Sequence, residues 1–112
     1  MYCLFCKIAN GDIPTNKIYE DDLVLAFNDI DPQAPVHFLV IPKQHIQSVD
    51  YINSENSAII GHIFEVIAKL AAELNLTDGY RVVTNCGKDG GQSVGHLHFH
   101  ILGKRSLKWP PG

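Results

Sequence analysis

The stretch Gly95-His96-Leu97-His98-Phe99-His100-Ile101-Leu102 alternates imidazole and apolar side chains with a strict period of two. Successive side chains of a β-strand point to opposite faces. The period therefore predicts a strand over His96–Leu102, with His96, His98 and His100 about 6.5–7 Å apart along one face. Leu97, Phe99 and Ile101 take the other face and read as core. Three imidazoles beside a buried row are costly to keep unless they bind or react with something. The bland alternatives are a surface histidine cluster and a metal site, but an accidental cluster would not alternate so strictly. Imidazole is nucleophilic when neutral, and its unperturbed pKa lies near about 6.5. With one ring N–H held by a backbone carbonyl, the other nitrogen is free to attack phosphorus. His98, flanked on its own face by two neighbours, is the expected nucleophile.

The segment just before it, Asp89-Gly90-Gly91-Gln92-Ser93-Val94-Gly95, supplies what such chemistry needs. Glycines let backbone N–H groups approach an anion without obstruction, so Gly91, Ser93 and Val94 are expected nucleotide contacts. Ser93 adds a hydroxyl able to give a proton to a leaving group. A Gly-Gly loop alone is usually only a turn; its place ahead of the histidines gives it weight.

Further out, Val36–Ile41 is rich in β-branched and aromatic residues and stops at Pro42, the pattern of a buried strand. His37 within it would ordinarily be a satisfied core histidine. Lys17–Glu20 and Leu23–Asn28 read as strands about the turn Asp21-Asp22, and Tyr80–Asn85 as another. The loop Asp29–Pro35 is broken by two prolines. Between Glu55 and Asn75, Ile60, Ile63, Phe64, Ile67, Leu70, Ala71 and Leu74 recur at helical spacing. His62, Glu65, Lys69 and Glu73 fall on the polar stripe, where His62 reads as a surface residue. Cys3–Ala9 is a short helix ended by Asn10-Gly11. One long helix, one short helix and about five short strands give an α+β fold with a mostly antiparallel sheet, a single domain over 1–112.

The composition fits: 46% hydrophobic and 19% charged residues describe a globular chain. A net charge of −3 argues against a general nucleic-acid binder. No apolar run reaches the roughly 18 residues of a membrane span, and the N-terminus does not read as a secretory signal, so a cytoplasmic protein is expected. Of the three cysteines, Cys86 reads as a small buried filler. Cys3 and Cys6 form a Cys-x-x-Cys pair suited to metal or redox chemistry, unless they are merely small residues on a helix face. Their spacing suits two thiolates of a tetrahedral zinc, with His45 and His96 able to complete a Cys2His2 set.

Gly95–Leu102 resembles the His-φ-His-φ-His-φφ signature of the histidine triad superfamily. Asp31–Pro42, Gly90-Gly91-Gln92-Ser93 and the ending Trp109-Pro110-Pro111-Gly112 resemble its Hint branch. The resemblance runs from Cys3 to the last residue. It implies a HIT-like fold in which two five-stranded antiparallel sheets join across a homodimer. It also implies a purine nucleoside phosphoramidase, which hydrolyses the P–N bond of AMP-amine or AMP-lysine conjugates through a nucleotidyl-histidine intermediate. AMP and GMP are then ligands. The nucleophile position falls on His98, the supporting histidines on His37, His96 and His100, and polar residues at the phosphate on Asn85 and Ser93. The resemblance further implies ribose binding by Asp29, which could otherwise merely cap its turn. It implies a base pocket of Phe5, Ile8, Phe27, Ile30 and Leu39, of which Phe5, Phe27 and Leu39 read as core from pattern alone. Trp109 matches a tail residue that reaches the partner subunit's active site. Cys3, Cys6, His45 and His96 match a structural zinc site present in some members. Asn28 and Gly95 depart from the histidine and aromatic residue common in relatives. The rival readings are a hydrolase of dinucleoside polyphosphates, the chemistry of a sister branch, and a non-catalytic nucleotide sensor or interaction module.

Overall fold

The structure is a computed structural model describing residues 3–112. In chain order it places α1 (Leu4–Ala9), β1 (Lys17–Glu20), β2 (Val24–Asn28), β3 (Val36–Pro42), α2 (Ser57–Glu73), β4 (Tyr80–Val83) and β5 (Phe99–Gly103), with a 3-10 turn at Val49–Tyr51. The strands form one sheet, in the order β1-β2-β3-β5-β4, antiparallel at every pairing. The expected α+β class, antiparallel sheet and two helices are all present among the described residues.

Alternation along the central strands divides the core in two. Val24, Ala26, Phe38, Val40, Phe99 and Ile101 point to the side covered by α2, where they meet Ile63, Val66, Ile67 and Leu70. Leu25, Phe27, Leu39 and Ile41 point the other way and pack under α1 against Phe5 and Ile8. Both faces of β2 and β3 are thus buried, and each fully buried Ile, Leu or Phe contributes about 1.5–3 kcal/mol. Phe64, placed in the apolar stripe by spacing, is 47% exposed, though its ring meets Phe99 edge-on at 5.4 Å. It lies one residue round the helix from Ile63, at the margin of the sheet.

Element ends follow from local chemistry. The long helix begins at Ser57, later than the periodicity suggests, because Asn53 and Asn56 fold the preceding turn. The N–H of Asn53 donates to Asn56 Oδ1, and that of Glu55 to Asn53 Oδ1. It ends where Asn75 takes φ 59°, with the N–H of Leu76 donating to Ala71 and that of Asn75 to Ala72, a Schellman close that turns Leu76 into the core.

The β1–β2 turn corrects the reading of His62. Asp21 Oδ1 accepts the N–H groups of Leu23 and Val24, while Oδ2 accepts the Tyr19 hydroxyl and faces His62 Nε2 at 2.6 Å. His62 is half-buried and links α2 to the hairpin. Although burial acts in the opposite direction, hydrogen bonds from His62, Leu23, Tyr19 and Val24 hold the Asp21 carboxyl well below the usual carboxylate range.

Candidate active site and metal-ligand cluster

The histidine row enters the sheet later than its alternation predicts. The β5 ladder starts at Phe99, so His96 and His98 precede it. They are held by other bonds: Leu97 N–H to Ile46 O at 2.6 Å, and the Thr84 hydroxyl to His98 O at 2.9 Å. These ties keep the alternation without ladder pairing. Leu97, Phe99 and Ile101 lie in the α2-side core as expected. His96 and His98 are buried and His100 half-buried.

The ring of His98 is fixed by its own segment. Its Nδ1 lies 2.7 Å from the carbonyl oxygen of His96, which can only accept, so Nδ1 carries the proton and Nε2 holds a lone pair. Phe5 meets the ring edge-on at 5.0 Å. Burial lowers the imidazole's pKa, against opposing effects of the His96 carbonyl and Asp29, and keeps it neutral.

A second tautomer assignment runs through His37 and His100. The N–H of Gln33 donates to His37 Nδ1 at 3.0 Å, so the proton of His37 is on Nε2. That N–H points at His100 Nδ1, 2.9 Å away, with Asp29 Oδ2 at 3.3 Å. His100 Nδ1 therefore accepts, and its Nε2 carries a proton available to an anion. Burial first, then the neighbouring His98 and His37, push the His100 imidazole down to about 4, with Asp29 opposing. The chain Gln33–His37–His100 thus presents a neutral donor 5.1 Å, ring to ring, from the lone-pair imidazole of His98.

Asp29 caps its turn, one of the two readings the sequence left open, and also faces the histidines. Its Oδ1 accepts the N–H of Asp31 at 2.8 Å and caps the turn, while Oδ2 faces His37 and His100. Phe5, Ile8, Phe27 and Leu39 form one apolar cluster under α1, joined by Leu25 and Ile41, which the sequence reading had not placed there. Strand parity alone assigns both to that face. Ile30 stands apart at 98% exposure. Asn85, just past β4, is half-buried; Gly91 and Ser93 are exposed, and Val94 packs on the α1 cluster. Gly91 has φ 74°, and a Cβ on Gly90 would stand 2.5 Å from Cys86 O, so the loop needs both glycines. Cys86 itself is half-exposed, and its backbone is what closes on Gly90. Trp109 is 80% exposed on a tail tied to β4 by Arg81 Nη2 donating to Lys108 O.

On the far side of His96, Cys3, Cys6, His45 and His96 converge, their ligating atoms all within 4.8 Å of one another. His96 Nε2 donates to the Pro42 carbonyl at 2.8 Å, turning the lone pair of Nδ1 toward the cluster. Nδ1 then lies 3.3 Å from Cys3 Sγ, 3.5 Å from Cys6 Sγ and 3.2 Å from His45 Nδ1. Zinc bonds of about 2.0–2.1 Å to nitrogen and 2.3 Å to sulfur put tetrahedral ligand atoms about 3.3–3.8 Å apart. The three separations from His96 Nδ1, and the 3.2 Å between Cys6 Sγ and His45 Nδ1, fit that geometry to within a few tenths of an ångström. Burial, then the adjacent Cys3, pushes the Cys6 thiol up to about 11, so its thiolate needs a cation beside it. Asp29, His37 and His100 also converge, but their short contact is a donor–acceptor pair.

Comparison with known proteins agrees with this fold. A HIT-like protein of Synechococcus elongatus is 53% identical over 109 residues, 97% of this chain and 96% of its own. A HIT family hydrolase from Legionella pneumophila superposes with a TM-score of 0.97 at 48% identity, covering 99% of this chain and all of the other. A histidine triad nucleotide-binding protein from Candida albicans superposes with a TM-score of 0.84 at 34% identity, over 97% of this chain and 83% of its own. The HIT domain profile itself matches residues 10–107, and the chain belongs to the HIT domain family.

Proposed function

We propose that this HIT protein is a purine nucleotide-binding hydrolase of the Hint branch, cleaving the P–N bond of nucleoside phosphoramidates such as AMP-lysine. The observation that carries the reading is the His98 ring, buried, neutral and locked through Nδ1 so that Nε2 is the free nucleophile. The hydrolase among its structural neighbours and the nucleotide-binding protein from Candida albicans support the same class.

In this mechanism His98 Nε2 attacks the α-phosphorus, and a P–N bond to His98 forms as the bond to the amine breaks. The amine takes a proton from the Ser93 hydroxyl. Water then attacks the nucleotidyl-histidine, returns a proton to Ser93, and releases AMP or GMP. His100 Nε2–H, set by His37, and the loop of Gly91, Ser93 and Val94 hold the phosphoryl oxygens, with Asn85 beside them. Asp29 binds the ribose. The base lies on the rim of the Phe5, Ile8, Phe27 and Leu39 cluster, against exposed Ile30. The Cys3, Cys6, His45 and His96 set would hold a structural zinc, which would steady His96, whose carbonyl orients His98.

The working unit is a homodimer of one-domain chains in the cytoplasm. Each exposed Trp109 reaches across to the partner's site. No helix among the described residues is long and apolar enough to cross a membrane.

Single-turnover assay of AMP-lysine beside a dinucleoside polyphosphate tests the reading. Faster release of AMP from AMP-lysine is expected. Preference for the polyphosphate would assign the sister chemistry, and binding without turnover of either would leave a sensor.

A further inference from the structure

The side chain of Gln92 adds a second level of order to the glycine loop. Its Oε1 accepts the N–H of Gly87 at 3.0 Å, and its Nε2 donates to Val94 O at 2.9 Å and to Gln47 O at 2.8 Å. Only this orientation of the amide puts the oxygen on a donor and both N–H groups on carbonyls. The backbone N–H of Gln92 also donates to Gly87 O at 3.0 Å. One side chain thus closes the loop from Gly87 to Val94 and pins it to Gln47. The same two segments meet again where Leu97 N–H donates to Ile46 O and where His45 faces His96. Between them Gln47, Ser93, Val94 and Gly95 line a cavity of about 490 Å³. At Gly90 the loop backbone also closes on that of Cys86, where a Cβ would stand 2.5 Å from Cys86 O.

We propose that Gln92 is a positioning residue, bracing the loop against the His45–Gln47 segment so that Ser93 and Val94 stay in place beside the reacting phosphorus. Its amide is committed to three protein partners and touches no reacting atom. The kinetic consequence rests on the phosphoramidase reading; the brace itself does not.

Gln92→Leu removes all three bonds. Gln92→Glu keeps the acceptor for Gly87 but sets a carboxylate oxygen against two carbonyls. Both variants should lose kcat for AMP-lysine by about 10- to 100-fold, the scale of a displacement near an ångström at a reacting group. KM and AMP affinity should stay within about threefold, as expected when ground-state contacts are spared. Amide hydrogen exchange should accelerate over residues 87–95 and not over β3 or β5. The proposal is overturned if kcat stays within about twofold of the parent protein, or if kcat, KM and melting temperature decline together as in general loosening. Absence of phosphoramidate turnover in the parent protein would sink the proposed function alone. Exchange would still decide the brace: acceleration confined to the loop upholds it, and unchanged exchange in Gln92→Leu overturns it.

Discussion

Acid should destabilise this protein through His100 in a way that one substitution removes. The His100 imidazole is pushed down to about 4 by burial and by His98 and His37, from the ordinary 6.5 expected in the unfolded chain. A histidine with a depressed folded pKa favours the folded state only while neutral. Its stabilising preference is complete above the unfolded value and is lost as pH falls from about 6.5 toward 4. Near pH 5 the unfolded histidine is almost fully protonated and the folded one almost neutral, so the cost relative to pH 8 is about 2 kcal/mol. The limit below pH 4 is about 3 kcal/mol, from 1.36 kcal/mol per pKa unit. The His100 side chain is 21% exposed, so solvent screening trims these values only modestly. Urea unfolding of the parent protein and His100→Gln at both pH values isolates the effect, because the cysteines, Asp29 and the other histidines are common to both. The parent should lose about 2 kcal/mol more than the variant between pH 8 and pH 5. Parallel losses would refute the claim that His100 is held neutral by its surroundings.

Zinc should copurify at about one ion per chain, and Cys3→Ser should lower both zinc content and melting temperature, since thiolate ligation couples metal to folding. Elemental analysis and thermal unfolding check this, and metal-free parent protein of unchanged stability would count against it. Truncation after Arg105 should leave AMP and GMP affinity within about threefold, an effect below about 1 kcal/mol. The kcat/KM values across a series of amine leaving groups should then shift unevenly. A uniform drop matched by loss of AMP affinity would show that the tail supports the dimer or pocket instead.

The histidine row was legible because its period of two is independent of pairing. The same alternation holds although His96 and His98 precede the β5 ladder. Legibility ended where function depends on which atom of a side chain meets which backbone group. The Gln33 N–H that sets His37, and through it His100, comes from a proline-interrupted loop with no periodic signal. The role of Gln92 was missed for a related reason: the loop was read through its glycines, while the brace is a side-chain amide spanning to Gln47. His62 looked like surface because a helical wheel shows only its own helix; Asp21, 41 residues away in sequence, makes it a tether. All four members of the metal set were legible, the cysteines from their local Cys-x-x-Cys spacing and His45 and His96 from the family resemblance, and the fold brings them together.

The central claim, that His98 Nε2 attacks phosphorus, is tested most directly by acid-quenching a single turnover of AMP-lysine and mapping the protein by mass spectrometry. The account predicts a transient nucleoside monophosphate adduct on His98, absent from a His98→Ala variant that still folds and still binds AMP. Turnover by His98→Ala at about a tenth or more of the parent kcat, or an adduct on another residue, would contradict it.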